Sequence, residues 1–159
     1  MRPIDPVLLA SVGLADVEEA LRGWRCLHAD MGRPILMSAV GDVFLKHAKG
    51  HVSRLDTGVG SINRVAESCT EFDAMALDSA NLDEWFLQPV VRELRSTGML
   101  LGHNQCYGFT ILPIFREGSY AATNRFILNA TEHLRFTADI VHQTQFLKDG
   151  DSIELRVVD

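Results

Sequence analysis

Apolar and polar positions fall into two rhythms along the chain, and the changes between them outline its elements. Near the start, Leu14, Val17 and Leu21 recur at helical spacing in "LADVEEALRGW", which predicts a short first helix closed by Gly23. The rhythm then shortens. The run Ile35 to Val40 meets Gly41-Asp42, Val43 to Leu45 follows, Lys49-Gly50 turns into "HVSRLD", and Gly58 and Gly60 precede "SINRVA". Short apolar runs divided by glycine turns predict a meander of four strands.

Helical spacing returns after Ser68. Ser68 with Glu71, Asn81 with Glu84, and Asn129 with Glu132 each have the spacing at which two side chains satisfy the free N–H groups of a helix start. The middle helix is predicted over about 82–97, with Leu87, Val91 and Leu94 on one side and Gly98 at its end. An interior proline removes a hydrogen bond, so Pro89 predicts a kink or a break. Asp83 and Glu84 would stand in the first turn, where the helix dipole favours negative charge. Further on, "QCYGFTILPIF" and "RFIL" read as a strand pair around the turn "REGSY", and Leu134, Ala138 and Val141 as one face of a last helix running to about Gln145. The tail "FLKDGDSIELRVVD" holds an Asp-Gly turn and an apolar run suited to an added edge strand or a frayed end.

Strands in a run, then helices, then a strand pair and a final helix predict an α+β fold: a mostly antiparallel sheet with helices packed on one face. No repeat, linker or low-complexity tract divides the 159 residues, so a single domain over 1–159 is expected. An apolar share of 47% and a charged share of 23% are those of a folded chain, not a disordered one. No apolar run approaches the roughly 20 residues needed to span a bilayer. The first residues lack the basic start and long apolar stretch of a signal peptide, which points to the cytoplasm. Cys26, Cys69 and Cys106 are odd in number and far apart, as suits free thiols in a reducing compartment.

Charge changes the picture more. The net charge is −6, and between Arg64 and Arg92 there is neither Lys nor Arg. That gap holds Glu67, Glu71, Asp73, Asp78, Asp83 and Glu84, while the remaining 15 acids are matched by 15 bases. The net charge therefore belongs to one segment. Direct binding to nucleic acid needs clustered cations and is disfavoured; a basic protein partner suits the segment, although a merely solvated acidic face is the commoner case.

The stretch "GHNQCYGF" sets His103 three residues before Cys106. On a strand, residues three apart point to opposite faces, and the apolar neighbours Tyr107, Phe109, Ile111 and Leu112 raise a thiol's pKa instead of activating it. A buried, inert Cys106 is expected, with a pocket near His103, Cys106 and Tyr107 as the alternative site of a ligand-binding domain or small enzyme. His133 and His142 fall on opposite sides of the last helix, and His47 and His51 flank a turn without a further ligand at zinc spacing. No HExxH, Walker loop or GxSxG is present, and "GVGSIN" lacks the third glycine of a dinucleotide fingerprint. Neither a metal nor a cofactor is expected, and nothing in the residues argues for catalysis.

"GDVFL" (41–45), "WFLQPVVRELRSTGML", "QCYGF" followed by "LPIF", and "EHLRFTADIVHQ" occur in that order. This succession, over roughly residues 24–146, resembles the C-terminal domain of the bacterial immunity proteins paired with type VI secretion DNase effectors. The resemblance implies a non-enzymatic protein that binds a cognate toxin in the cytoplasm. Longer members also carry an N-terminal GAD-like domain, for which the roughly two dozen residues ahead of the similar stretch are too few. If the toxin is a nuclease with a basic groove, Glu71, Asp73, Asp78, Asp83 and Glu84 are candidates for the face that meets it, with Trp85 as an aromatic anchor if it is exposed; a Trp85 packed in the core is the more ordinary outcome. Gly41, Asp42, Gln105, Cys106, Tyr107, Gly108 and Phe109 are motif residues expected to serve the fold. Gly108 would admit a close neighbour, and Gln105 would bond a loop.

Overall fold

The computed structural model describes residues 3–148 and 150–152. Two short helices, α1 (Leu14–Ala20) and α2 (Arg22–Leu27), lead into the strands β1 (Arg33–Met37), β2 (Val43–Lys46), β3 (Val52–Asp56) and β4 (Ser61–Ala66). These pair antiparallel in chain order, as the glycine turns predict. Then come α3 (Cys69–Met75), α4 (Ser79–Trp85) and α5 (Gln88–Ser96), the strand β5 (Gln105–Phe109), a long loop, the strand β6 (Arg125–Asn129) and α6 (Ala130–Thr144). β5 and β6 form a separate antiparallel pair. The architecture is α+β. The apolar run of the tail falls on residues 153–159 and lies outside the described residues.

The helices do not lie on one face of the sheet; they cover both. Val43, Leu45, Leu55 and Met37 pack with Val17, Leu21 and Trp24 of the first two helices and with Leu134, Ala138 and Val141 of α6. On the other face Phe44 and Val52 pack with Phe72, Trp85, Phe86, Val91 and Leu94 of the α3–α5 segment. The physical reason is visible in β2. Val43-Phe44-Leu45 is apolar without alternation, and successive strand residues point to opposite faces, so both faces must be kept from water. A sheet with one solvated face would alternate.

Several helix boundaries differ from their predicted positions. Gly23 does not end a helix but sits inside α2, where a Cβ would stand 2.9 Å from the Ala138 Cβ; it lets α2 lie against α6. Across the same contact the Trp24 indole donates to the Leu134 carbonyl at 3.0 Å. The predicted helix over 82–97 is two helices. Leu87 takes a left-handed conformation (φ 48°) between them, and Pro89 falls in the first turn of α5, where its missing N–H costs no intrahelical bond. α4 begins earlier than predicted, capped by Asp78, which accepts from the Ala80 N–H at 3.0 Å; Asn81 instead donates to the Met75 carbonyl. Asp83 and Glu84 consequently lie in the last turn of α4, at the end of the dipole that disfavours them. The Ser68 and Asn129 caps form as predicted. The strand expected through "QCYGFTILPIF" stops at Phe109, and residues 110–121 form the loop.

Candidate functional site

Three of the motif residues, Gly41, Gly108 and Phe109, meet at the His133 imidazole. Gly41 opens the turn into β2 with φ 92°, and a Cβ there would stand 2.3 Å from His133 Nε2. Gly108 on β5 is as constrained: its Cβ would be 2.3 Å from a Leu128 methyl carbon and 3.2 Å from His133 Nδ1. Glycines from two motifs thus make room for the histidine of a third. His133 Nε2 lies 2.9 Å from Thr57 Oγ1, which is also 3.2 Å from the Gly41 carbonyl and 3.3 Å from Asp42 Oδ1. A hydroxyl has one proton, so Thr57 donates to the carbonyl or the carboxyl while able to accept from a protonated Nε2. Asp42 Oδ1 also accepts from the Thr57 N–H at 3.1 Å.

Charge surrounds this knot. Asp56 accepts from the Gly58 N–H at 2.9 Å and from the Tyr120 hydroxyl at 2.9 Å, and pairs loosely with Arg54 at 3.9 Å. Arg125, at the start of β6, is buried with its guanidinium 3.9 Å from the centre of the Phe109 ring; it donates to the carbonyls of Val40, Tyr107 and Tyr120. Burial shifts Asp42, His133, Arg125 and Tyr120 toward their neutral forms. It pushes Asp42 up to about 7, with the Asp56 charge adding to the effect, and His133 down to about 4, helped by Arg125. The Arg125 guanidinium is lowered to about 10 by burial, and the Tyr120 hydroxyl is raised by burial and then by Asp56.

Thr57, Asp56, Arg125 and Tyr120 were not among the sequence candidates, and His133 was weighed only as a metal ligand beside His142. One sign of them was legible: an acid in "LDTG" and an arginine in "RFILN" begin or end apolar strands. What unites them is contact across up to 76 positions of chain, which spacing does not show.

The His103–Cys106 pair does not form. His103 is exposed, with Nδ1 3.1 Å from the Ser11 hydroxyl, while the Cys106 side chain enters the core beside Leu134 and Ala130. Burial raises the Cys106 thiol far above its ordinary value. Tyr107 points to the other core and donates its hydroxyl to the Met99 carbonyl, and its N–H reaches the Ala39 carbonyl at 2.7 Å, tying β5 to the loop after β1. Gln105 accepts from the Gly102 N–H at 2.6 Å, the expected bond to a loop. His47 and His51 stack with ring centres 3.9 Å apart; among the described residues no cluster of three or more metal-ligating side chains occurs.

The acidic segment is at the surface. Glu67, Glu71, Asp73, Asp78, Asp83 and Glu84 are all exposed, while Phe72 and Ala76 between them and Trp85 just after them are buried. Three already have local tasks. Glu67 pairs with Arg64, Glu71 accepts from the Glu67 N–H, and Asp78 caps α4. Among the described residues, Asp73, Asp83 and Glu84 enter no ion pair. Trp85 is 6% exposed and stacks on Phe72 with centres 5.9 Å apart, so the aromatic anchor conditional on its exposure is overturned.

Fold and site together define a class: an α+β protein with a buried polar knot around His133 and with exposed acids on the α3–α4 segment. Residues 66–141, just under half of the chain, match the family model described as T6SS immunity protein Tdi1, C-terminal. The resemblance read from the motifs is shown for that stretch, which runs from the end of β4 into α6 and leaves "GDVFL" outside it. No curated protein matches the chain. Among the described residues no helix is long and apolar enough to cross a membrane.

Proposed function

We propose that this protein is an immunity protein without catalytic activity, acting in the cytoplasm to bind and neutralise a cognate type VI secretion toxin, and that the toxin is a nuclease whose cationic substrate groove meets the α3–α4 side. One observation carries the nuclease reading. The acids responsible for the entire net charge are exposed together on α3, α4 and their flanks, and Asp83 and Glu84 stand where the helix dipole opposes them. Acids placed against the dipole are not there for helix stability. Facing a basic groove, they would speed association and select the partner. The family match supports the immunity role, and the buried Cys106 weakens the alternative of a thiol-based pocket.

The test is rescue. The open reading frame beside the gene for this protein is expressed in a bacterial host with and without it, and the two products are tested for co-purification. Toxicity relieved by a complex supports the reading. A toxic product that this protein neither binds nor relieves refutes it. Within a complex, Asp73→Lys, Asp83→Lys and Glu84→Lys together should slow association at least about tenfold at low salt, with a smaller effect at high salt.

A further inference from the structure

The loop between β5 and β6, residues 110–121, is tied at both ends and at Ile114 in its middle. Asn124 binds its two arms together, donating to the carbonyls of Ile111 and Ser119 at 2.6 and 2.7 Å and accepting from the Ile111 N–H at 3.0 Å. The Ile114 N–H donates to the Gly58 carbonyl at 3.0 Å, and Tyr120 is tied at its hydroxyl to Asp56 and at its carbonyl to Arg125. Leu112 packs beneath with Phe109 and Ile140. At Gly118 a Cβ would stand 2.0 Å from the Leu112 carbonyl oxygen, so the fold-back admits no side chain there.

This tied loop displays apolar groups. Ile114 is 36% exposed and Tyr120 37%, and Val59, next to the Gly58 that receives Ile114, is 37% exposed. Acids border them. Arg54 donates to the Glu84 carbonyl at 3.0 Å and reaches Asp56, which holds the Tyr120 hydroxyl, so one arginine links the end of α4, which carries Asp83 and Glu84, to Tyr120. An apolar centre containing a tyrosine, rimmed by charge and fixed before any partner arrives, has the anatomy of an interface hot spot, and its ordering entropy is already met by the fold.

We infer that Val59, Ile114 and Tyr120 form the anchor of the toxin contact, filling an apolar depression whose rim is cationic, with Asp83 and Glu84 as the complementary charges. The inference rests on the function proposed above and makes Tyr120, not Trp85, the aromatic anchor.

Binding of the full chain to the purified, catalytically silenced product of the neighbouring reading frame tests it. Ile114→Asp and Val59→Asp should each weaken binding at least about 30-fold, mainly through faster dissociation, while thermal unfolding stays near wild type. Tyr120→Phe, which keeps the ring and removes the bond to Asp56, should weaken it less than Tyr120→Ala. If Ile114→Asp lowers the unfolding midpoint, Val59→Asp decides. Loop variants that bind within about threefold of wild type, while the lysine variants at Asp73, Asp83 and Glu84 lose binding, would overturn the anchor and leave the proposed function standing. A wild-type chain that does not bind overturns both. Light scattering that shows a dimer abolished by Val59→Asp assigns the patch to a second copy and also overturns the inference.

Discussion

Gly41 and His133, 92 positions apart, occupy one volume: a Cβ on the glycine would lie 2.3 Å from the imidazole Nε2. Each residue is fixed by the other. Gly41→Ala meets this clash as well as a φ of 92°, and a loss of about 3 kcal/mol is expected. Removing the ring with His133→Ala should relieve the clash but not the backbone strain. The double variant should therefore be less destabilised than the two single losses added, by at least about 1 kcal/mol in urea unfolding. Additive losses would show that the two sites do not share space.

The polar knot predicts two opposed pH dependences. His133 is held neutral down to about pH 4 against an ordinary value of 6.5, so the unfolded chain binds more protons between those limits. Its contribution is present above pH 6.5 and is lost as pH falls toward 4. Asp42 is raised from 3.8 to about 7, so here the folded chain binds more protons, and stability is lost as pH rises through that window. Asp42→Asn keeps an oxygen to accept from Thr57 and removes the second slope. Relative to wild type it should gain stability from about pH 4 to 7 and level off above pH 7, followed by denaturant unfolding at each pH. A constant difference would mean that Asp42 titrates normally.

Trp85→Ala should act on the fold alone. The indole packs against Phe72 and Phe44, and its removal should cost about 3–5 kcal/mol. Binding measured on the remaining folded protein should be unchanged; a loss of affinity in a variant of native stability would return Trp85 to the interface.

Thiol labelling separates the three cysteines. Cys26 is exposed, Cys69 intermediate and Cys106 buried with its thiol held protonated. In the native protein at neutral pH, iodoacetamide should modify Cys26 first and leave Cys106 until the chain unfolds. Rapid native modification of Cys106, located by mass spectrometry, would reopen the pocket reading.

What the sequence disclosed follows from the range of the forces involved. The meander was legible because its turns are local: Gly41-Asp42 and Lys49-Gly50 stand where the chain reverses. The Ser68 and Asn129 caps involve partners three residues apart. Gly23 was misread because a glycine after a helical repeat has the same signature whether it ends a helix or admits another one. Asn81 has capping spacing, but Asp78 had the position. The second helical layer was missed although Val43-Phe44-Leu45 already asked for it. The polar knot was least legible, since neither Thr57 nor Arg125 differs by spacing from an ordinary strand-end residue.

The sheet covered on both sides changes how its register is policed. In a sheet with one wet face, a slip by one residue drives apolar side chains into water, and polarity rejects the error. A slip of β2 would instead exchange Phe44 with Val43 or Leu45 between two dry compartments. Solvent would raise little objection. Discrimination falls to shape, a phenyl ring sent where a smaller side chain fits, and to the pin at Asp42, whose carboxylate meets the backbone of Thr57 in one alignment only. The buried acid, costly to keep charged, marks the zero of the ruler against which the strands are aligned.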